Sequence, residues 1–286
     1  MGNSLSLSYF TQFDHLYVPM ADGEKTSAFY YDVAKATRAV LVLHGIQSHA
    51  GWFTQTCESL QKAGFSVLAP DRRGSGMNMR HRGHAHSAKD IISDINDWVL
   101  WLKAKTNIDK VDIVAISISG KGALPYVHQY SEQVRSLALV TPGLCPKVDI
   151  RLNQKIVVGA SGAKEPFALH DLPNYGPSFL TSDKKKVQYI ENDPLILMQV
   201  TAGYLVALRQ LELKVRRAIP NIYLPVGLFL AGGDQIVDNE KTKKLLSSIT
   251  NGNEFLYENA EHTLDFDQAV AIYLQDLIHF VSKPSS

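Results

Sequence analysis

A cadence constrains this chain more than any other feature: short runs of branched apolar residues alternate with longer stretches of helical period. Residues 39–43, 65–69, 111–116 and 136–140 are four such runs, each bounded by turn residues. Runs of this length and composition suit strands buried on both faces of a parallel sheet, where neither face requires polar side chains. The intervening stretches predict helices at 52–63, stopping at Gly64, at 88–105, and from about Ile118 onward. In the second of these, Ile91, Ile95, Trp98, Val99 and Leu102 share one stripe, with Asp90, Asp94 and Asp97 off it. Two opening strands, 13–19 and 25–33, meet at the Asp22-Gly23 turn. Later the rhythm resumes with strands at 226–230 and 254–257 and helices at 239–248 and 266–281. Strand and helix in alternation predict an α/β fold, a mostly parallel sheet covered by helices on both faces.

The rhythm breaks at 145–219, too long for a loop in a compact domain. Its clearest helical part is 194–215, with Leu197, Val200, Tyr204, Leu208 and Leu211 at helical spacing. An insertion between late strands sits over their carboxyl ends, where ligands bind, so 145–219 reads as a helical lid. The core is then 1–144 and 220–286, and 286 residues suit one such domain.

A formal charge of +1 excludes an obligate nucleic-acid binder, which needs a concentrated basic surface. Two cysteines, Cys57 and Cys145, are too few for a disulfide framework and read as free thiols in a reducing compartment. The N-terminus has neither the basic nor the apolar region of a signal peptide, and no apolar run approaches the ~20 residues that span a bilayer. Gly2 and Ser6 do fit a short acylation pattern. The expected location is the cytoplasm, with at most a transient contact at a membrane or micelle surface.

Esters and amides resist water because hydroxide is scarce and the tetrahedral oxyanion is poorly stabilised. A hydrolase therefore needs a nucleophile, a base, a group to orient the base, and donors aimed at the oxyanion. The segment Ala115-Ile-Ser117-Ile-Ser119-Gly120 supplies a buried strand running into a helix, the setting of a nucleophile elbow at Ser117. Positions two before and two after must be small. Alanine and serine stand where glycines are usual. Ser161, within Gly159-Ala-Ser-Gly-Ala163, matches by letter, but Glu165-Pro166 stops the helix an elbow needs. Asp234 follows a late strand and Gly232-Gly233, while its competitor Asp238 suits an N-cap for the next helix. His262 lies between the last strand and the last helix; of the ten histidines, His128 and His279 sit on helices, wrong for reaching Ser117. The order Ser, Asp, His completes the set, with backbone N–H groups of Ile46 and Ile118 as candidate oxyanion donors.

These segments resemble the monoacylglycerol lipase and lysophospholipase group of α/β-hydrolases, a group that borders on serine aminopeptidases. The likeness is carried by Leu43-His44-Gly45-Ile-Gln-Ser-His49-Ala-Gly51-Trp52, by Asp71-Arg-Arg73-Gly74-Ser-Gly76, and by the elbow. It continues in Asn192-Asp193-Pro194-Leu195, Gly233-Asp234 and Glu261-His262. The resemblance implies an eight-stranded core with a helical lid, no metal and no organic cofactor. It implies a serine hydrolase acting on small-molecule acyl esters with a long apolar chain. Lys121 departs from the pattern, a lysine in the first turn of a helix where a small residue is common. An aminopeptidase would need an acid to hold a substrate amine, for which Glu191 or Asp193 could serve. A non-catalytic receptor would not need all three of Ser, Asp and His.

Three further signals suggest less. Arg80-His81-Arg82-Gly-His84-Ala-His86 lacks a carboxylate or thiolate and reads as a solvated loop rather than a metal site. Lys184-Lys185-Lys186 reads as a solvated face. The stretch 145–219 carries a net +4 and the rest of the chain −3, a bias that would favour anionic lipids.

Overall fold

Each branched run becomes a strand of one sheet. The computed structural model describes residues 14–147, 164–172 and 176–283. Along the chain lie β1 (Asp14–Pro19), β2 (Lys25–Tyr31), β3 (Arg38–Leu43), α1 (Thr54–Lys62), β4 (Phe65–Pro70), α2 (Ala88–Thr106), β5 (Val111–Ile116), α3 (Gly120–Gln129) and β6 (Val134–Val140). A short hairpin, β7 (Leu169–Asp171) with β8 (Gln199–Thr201), encloses α4 (Lys184–Glu191) and leads into α5 (Ala202–Ala218). The chain then returns to the sheet through β9 (Val226–Ala231), α6 (Asn239–Leu246), β10 (Gly252–Tyr257) and α7 (Val270–Ser282).

The eight-stranded sheet runs β1-β2-β4-β3-β5-β6-β9-β10. Pairing is parallel from β4 to β10, and antiparallel for β1–β2 and β2–β4. From β3 the chain steps outward one way to β4, and from β5 the other way to β6, β9 and β10. β3 and β5 are neighbours, Leu43 opposite Ala115, so the segments leaving their carboxyl ends start side by side. That is the crevice in which open α/β sheets bind ligands.

Side-chain alternation splits the core into two layers. Leu41, Leu43, Ile113 and Ala115 face α2 and α3, packing with Ile95, Trp98 and Leu124. Val40, Val42, Val114 and Ile116 face α1 and α7, packing with Leu60, Leu277 and Phe280. At ~25 cal/mol per Å² of apolar area removed from water, these two layers dominate folding. Among the described residues no helix is long and apolar enough to cross a membrane. Cys57 is buried and Cys145 half-buried, both free thiols.

Several expectations need correction. Asp94, off the apolar stripe of α2, is nonetheless buried and receives two bonds from Arg73 Nε at 2.9 Å. Burial pushes its carboxyl up to about 7 against the opposing charge of Arg73. The helix expected at 194–215 begins only at Ala202. Leu197 and Val200 belong to the approach to and body of β8, and Thr201 caps α5 by accepting from Tyr204 N at 3.2 Å. Strand pairing and that cap override the periodicity. Lys184–Lys186 open α4, capped by Asp183, and Lys186 lies 4.5 Å over the Phe266 ring, so only Lys184 and Lys185 are fully solvated. The helices expected from 52 and 266 start later, after 3₁₀ turns at Ala50–Phe53 and Leu264–Phe266. Gly2 and Ser161 lie outside the described residues.

Candidate active site

Ser117 begins a 3₁₀ turn (Ser117–Ser119) where buried β5 meets α3. Its φ of +52° lies in the left-handed region that a residue with a Cβ adopts only under constraint. The constraint is visible. Gly143 N donates to Ser117 O at 2.8 Å, and a Cβ at Gly143 would crowd the Ile118 backbone at 3.2 Å. Ala115 and Ser119 are both buried. Ser119 does more than fit: its hydroxyl donates to His44 O at 2.5 Å, tying the elbow to the segment after β3.

Asp234 follows β9 and is 1% exposed. Ile236 N and Val237 N donate to its Oδ1 at 2.8 and 2.9 Å, leaving Oδ2 for His262 Nδ1 at 2.8 Å. Burial alone would raise this carboxyl. The charge and hydrogen bond of His262, with the two N–H donors, outweigh burial and hold it below the usual range. Gly232 and Gly233 are needed for close approach rather than for left-handed φ. A Cβ at Gly232 would meet Glu258 O at 2.2 Å, and one at Gly233 would meet Ala260 O at 2.9 Å. Asp238 caps α6, accepting from Lys241 N at 3.0 Å.

His262, after β10, completes the chain: its Nε2 lies 3.0 Å from Ser117 Oγ. With the proton on Nδ1 toward Asp234, Nε2 presents a lone pair to the hydroxyl. His128 and His279 stay on α3 and α7.

After β3, Arg72 organises the backbone. Its Nη2 donates to Gly45 O at 2.8 Å and Ile46 O at 2.9 Å. Arg72 N donates to Nε2 of the buried His44 at 3.0 Å, which leaves His44 Nδ1–H to donate to Gly45 O at 2.8 Å. Burial and then the Arg72 charge push the His44 imidazole down, so it stays neutral. The Gly45–Ile46 peptide is trans, so with its carbonyl held by Arg72 its N–H points the opposite way. Gly45 lies against Ser117, a Cβ placed there coming within 3.5 Å of Ser117 Cβ.

Residues 34–269 match the Hydrolase_4 family, described as serine aminopeptidase, S33. The chain belongs to that family. It is an α/β-hydrolase of the lipase, esterase and lysophospholipase-like group. It is 22% identical over 207 residues to the uncharacterized protein YnbC of Escherichia coli, covering 72% of this chain but only 35% of that protein. It is 22% identical to Phospholipase YtpA of Bacillus subtilis, over 75% of this chain and 83% of that one. A soluble variant of the Saccharomyces cerevisiae monoglyceride lipase, solved with a substrate analog, superposes with a TM-score of 0.82 at 18% identity, covering 96% of both chains.

In this α/β-hydrolase, Ser117 and His262 open into a cavity of about 470 Å³, with Ile46 and Ile118 on its wall. Leu172, Leu180, Leu205, Leu213, Ile236 and Val237 make it largely apolar, while Lys121, Arg209 and Glu212 add charge. Three contributions escaped the sequence reading. Arg72 bridges the core to the Tyr204 hydroxyl of α5 at 3.0 Å. Asp193 is buried and accepts from Trp52 Nε1 at 2.6 Å and His49 Nε2 at 3.0 Å, fastening the inserted stretch to the segment after β3. Lys121, 6% exposed, pairs with Glu212 at 2.7 Å. Only long-range contacts define these roles, though Arg72 and Asp193 both fall within segments that carry the family resemblance.

The histidine-rich loop is only partly solvated: Arg80, His81 and His86 are exposed as expected, but its middle is not. His84 is buried, bonded to Thr201 Oγ1 at 2.8 Å and His86 Nδ1 at 3.0 Å, and stacked on Phe167 at 4.2 Å. Arg82 donates to Leu195 O and Ile196 O. The loop thus docks on the carbonyls of Leu195 and Ile196, just before β8, and on the ring of Phe167, just before β7. Among the described residues no group of three His, Cys, Asp or Glu side chains could hold a metal.

Proposed function

We propose that the chain is a serine carboxylester hydrolase that cleaves single-chain acyl esters of the monoacylglycerol or lysophospholipid kind through Ser117, His262 and Asp234. One observation carries this reading: the hydrogen-bonded chain Asp234–His262–Ser117 opens into an apolar-walled cavity with room for an acyl chain.

In the first half-reaction Ser117 Oγ bonds to the acyl carbonyl carbon as His262 Nε2 takes its proton. The carbonyl oxygen becomes an oxyanion, for which the N–H groups of Ile46 and Ile118 are the donors. Asp234 stabilises the imidazolium. The intermediate then collapses as the alcohol–carbon bond breaks and His262 protonates the leaving oxygen. Water, deprotonated by His262, attacks the acyl-enzyme in the second half and releases the fatty acid and Ser117. Residues 145–219 act as the lid of this site: α5 lines the cavity, and Arg72–Tyr204 and Asp193–His49 join it to the core.

The family's description keeps an aminopeptidase reading in view. Such an enzyme needs a free carboxylate beside the cavity. Asp193 is occupied by His49, Trp52 and Leu195 N, Glu191 is exposed, and Glu212 is paired with Lys121 and Arg209. These favour the ester. Comparing kcat/KM for p-nitrophenyl acyl esters and aminoacyl anilides tests it. The expected result is turnover of the esters alone, and faster anilide hydrolysis would reject the ester assignment.

A further inference from the structure

The acyl cavity has a charged corner that acyl binding does not explain. Lys121 Nζ and Arg209 Nη1 each direct an N–H to Glu212, at 2.7 Å to Oε1 and 2.7 Å to Oε2. Lys121 is 6% exposed, Glu212 33% and Arg209 64%, so the corner runs from the buried wall to the mouth. All three line the cavity that Ser117 and His262 share. Two cations against one carboxylate leave a formal +1, and the N–H groups spent on Glu212 are fewer than an ammonium and a guanidinium carry. Beside apolar walls such an excess is felt more strongly than in bulk water.

We infer that this corner is a subsite for a singly charged oxyanion, a phosphodiester or a carboxylate, on the leaving alcohol of the substrate. The inference rests on the ester-hydrolase reading and deepens it. Position assigns the anion to the alcohol rather than to the acyl chain. Lys121 stands four residues after Ser117, across the 3₁₀ turn Ser117–Ser119 and into α3, a rise of about 6–8 Å. A short alcohol head reaches that far from the scissile carbonyl, whereas the end of a long acyl chain lies well beyond. A neutral glycerol head would leave the excess charge uncompensated, and one anionic charge cancels it. Burial would raise the Glu212 carboxyl, but Lys121 and then Arg209 hold it below its ordinary range, so it stays ionised at neutral pH.

The test uses three esters of one medium acyl chain, below their micelle concentrations: with glycerol, with glycerophosphoglycerol and with lactate. The readout is the ratio of kcat/KM for each anionic ester to that for the glycerol ester. In the unmodified enzyme at least one ratio should exceed about ten, and Arg209→Ala should lower it about tenfold, as loss of a charge-assisted contact implies. Glu212→Gln should raise it, a change of sign that a folding defect cannot imitate. Arg216→Ala removes an equal charge from the exposed side of the same helix and should leave the ratio unchanged. The ester with the higher ratio identifies the anion. A ratio near one, or one indifferent to Arg209→Ala, overturns the subsite while leaving ester hydrolysis standing. Failure to turn over any of the three esters overturns both.

Discussion

His262–Asp234 and His49–Asp193 are both buried histidine–carboxylate pairs, 2.8 and 3.0 Å long, yet their imidazoles are turned opposite ways. In the second pair Gly51 N donates to His49 Nδ1 at 3.1 Å. That nitrogen is therefore bare, and Nε2–H goes to Asp193. Both ring nitrogens are consumed within the fold, and the carboxylate also takes Trp52 Nε1. In the first pair Nδ1–H goes to the carboxylate and Nε2 faces a hydroxyl on a strained turn at a cavity. A buried Asp–His pair is thus a fastener or a proton acceptor according to which nitrogen is left over and what it faces.

The largest effect should come from the proposed triad. Asp234→Asn keeps the shape but removes the charge and disturbs the tautomer, so kcat on acyl esters should fall by about four orders of magnitude with little change in melting temperature. A fall of less than tenfold would place Asp234 with the fasteners. The matching change in the other pair, Asp193→Asn, should act on stability instead. Weakening bonds to His49 and Trp52 should cost about 1–2 kcal/mol in urea unfolding, with kcat changed less than about tenfold.

The pH dependence of that loss has a defined sign. Burial would raise the Asp193 carboxyl, but His49, Trp52 and Leu195 N more than offset it and leave its folded pKa below the unfolded value. Its stabilisation is therefore present above the unfolded pKa and lost as pH falls through the folded one. Between about pH 5 and about pH 3 the Asp193→Asn protein should lose less stability than the unmodified protein. Parallel curves would contradict this linkage.

The smallest effect concerns the serine standing where the elbow usually has glycine. Ser119→Gly deletes the bond to His44 O and loosens the segment carrying Ile46. A neutral hydrogen bond of about 1 kcal/mol implies a kcat roughly fivefold lower with KM little changed. An unchanged kcat would make that bond irrelevant to the proposed oxyanion donors.

The same contrast explains what the sequence made legible. Strands β3 to β6 and β9 stood out because burial on both faces leaves only apolar residues. Ser117, Asp234 and His262 stood out because each sits just past a strand in a fixed order. Residues 164–218 were harder. The spacing of Leu197, Val200 and Tyr204 imitates one helix face, yet the first two lie at a hairpin that exists only because β7 is there to pair. Arg72 reaching two carbonyls, or His84 stacking on Phe167, has no local signature. Such contacts join distant segments through backbone atoms and ring faces that composition does not encode.

Covalent capture tests the central proposition most directly. The protein is treated with a fluorophosphonate and the modified peptide mapped by mass spectrometry. The account predicts one adduct, on Ser117, absent in Ser117→Ala and formed orders of magnitude more slowly in His262→Ala. An adduct on Ser161, or undiminished labelling of the Ser117→Ala protein, would contradict it.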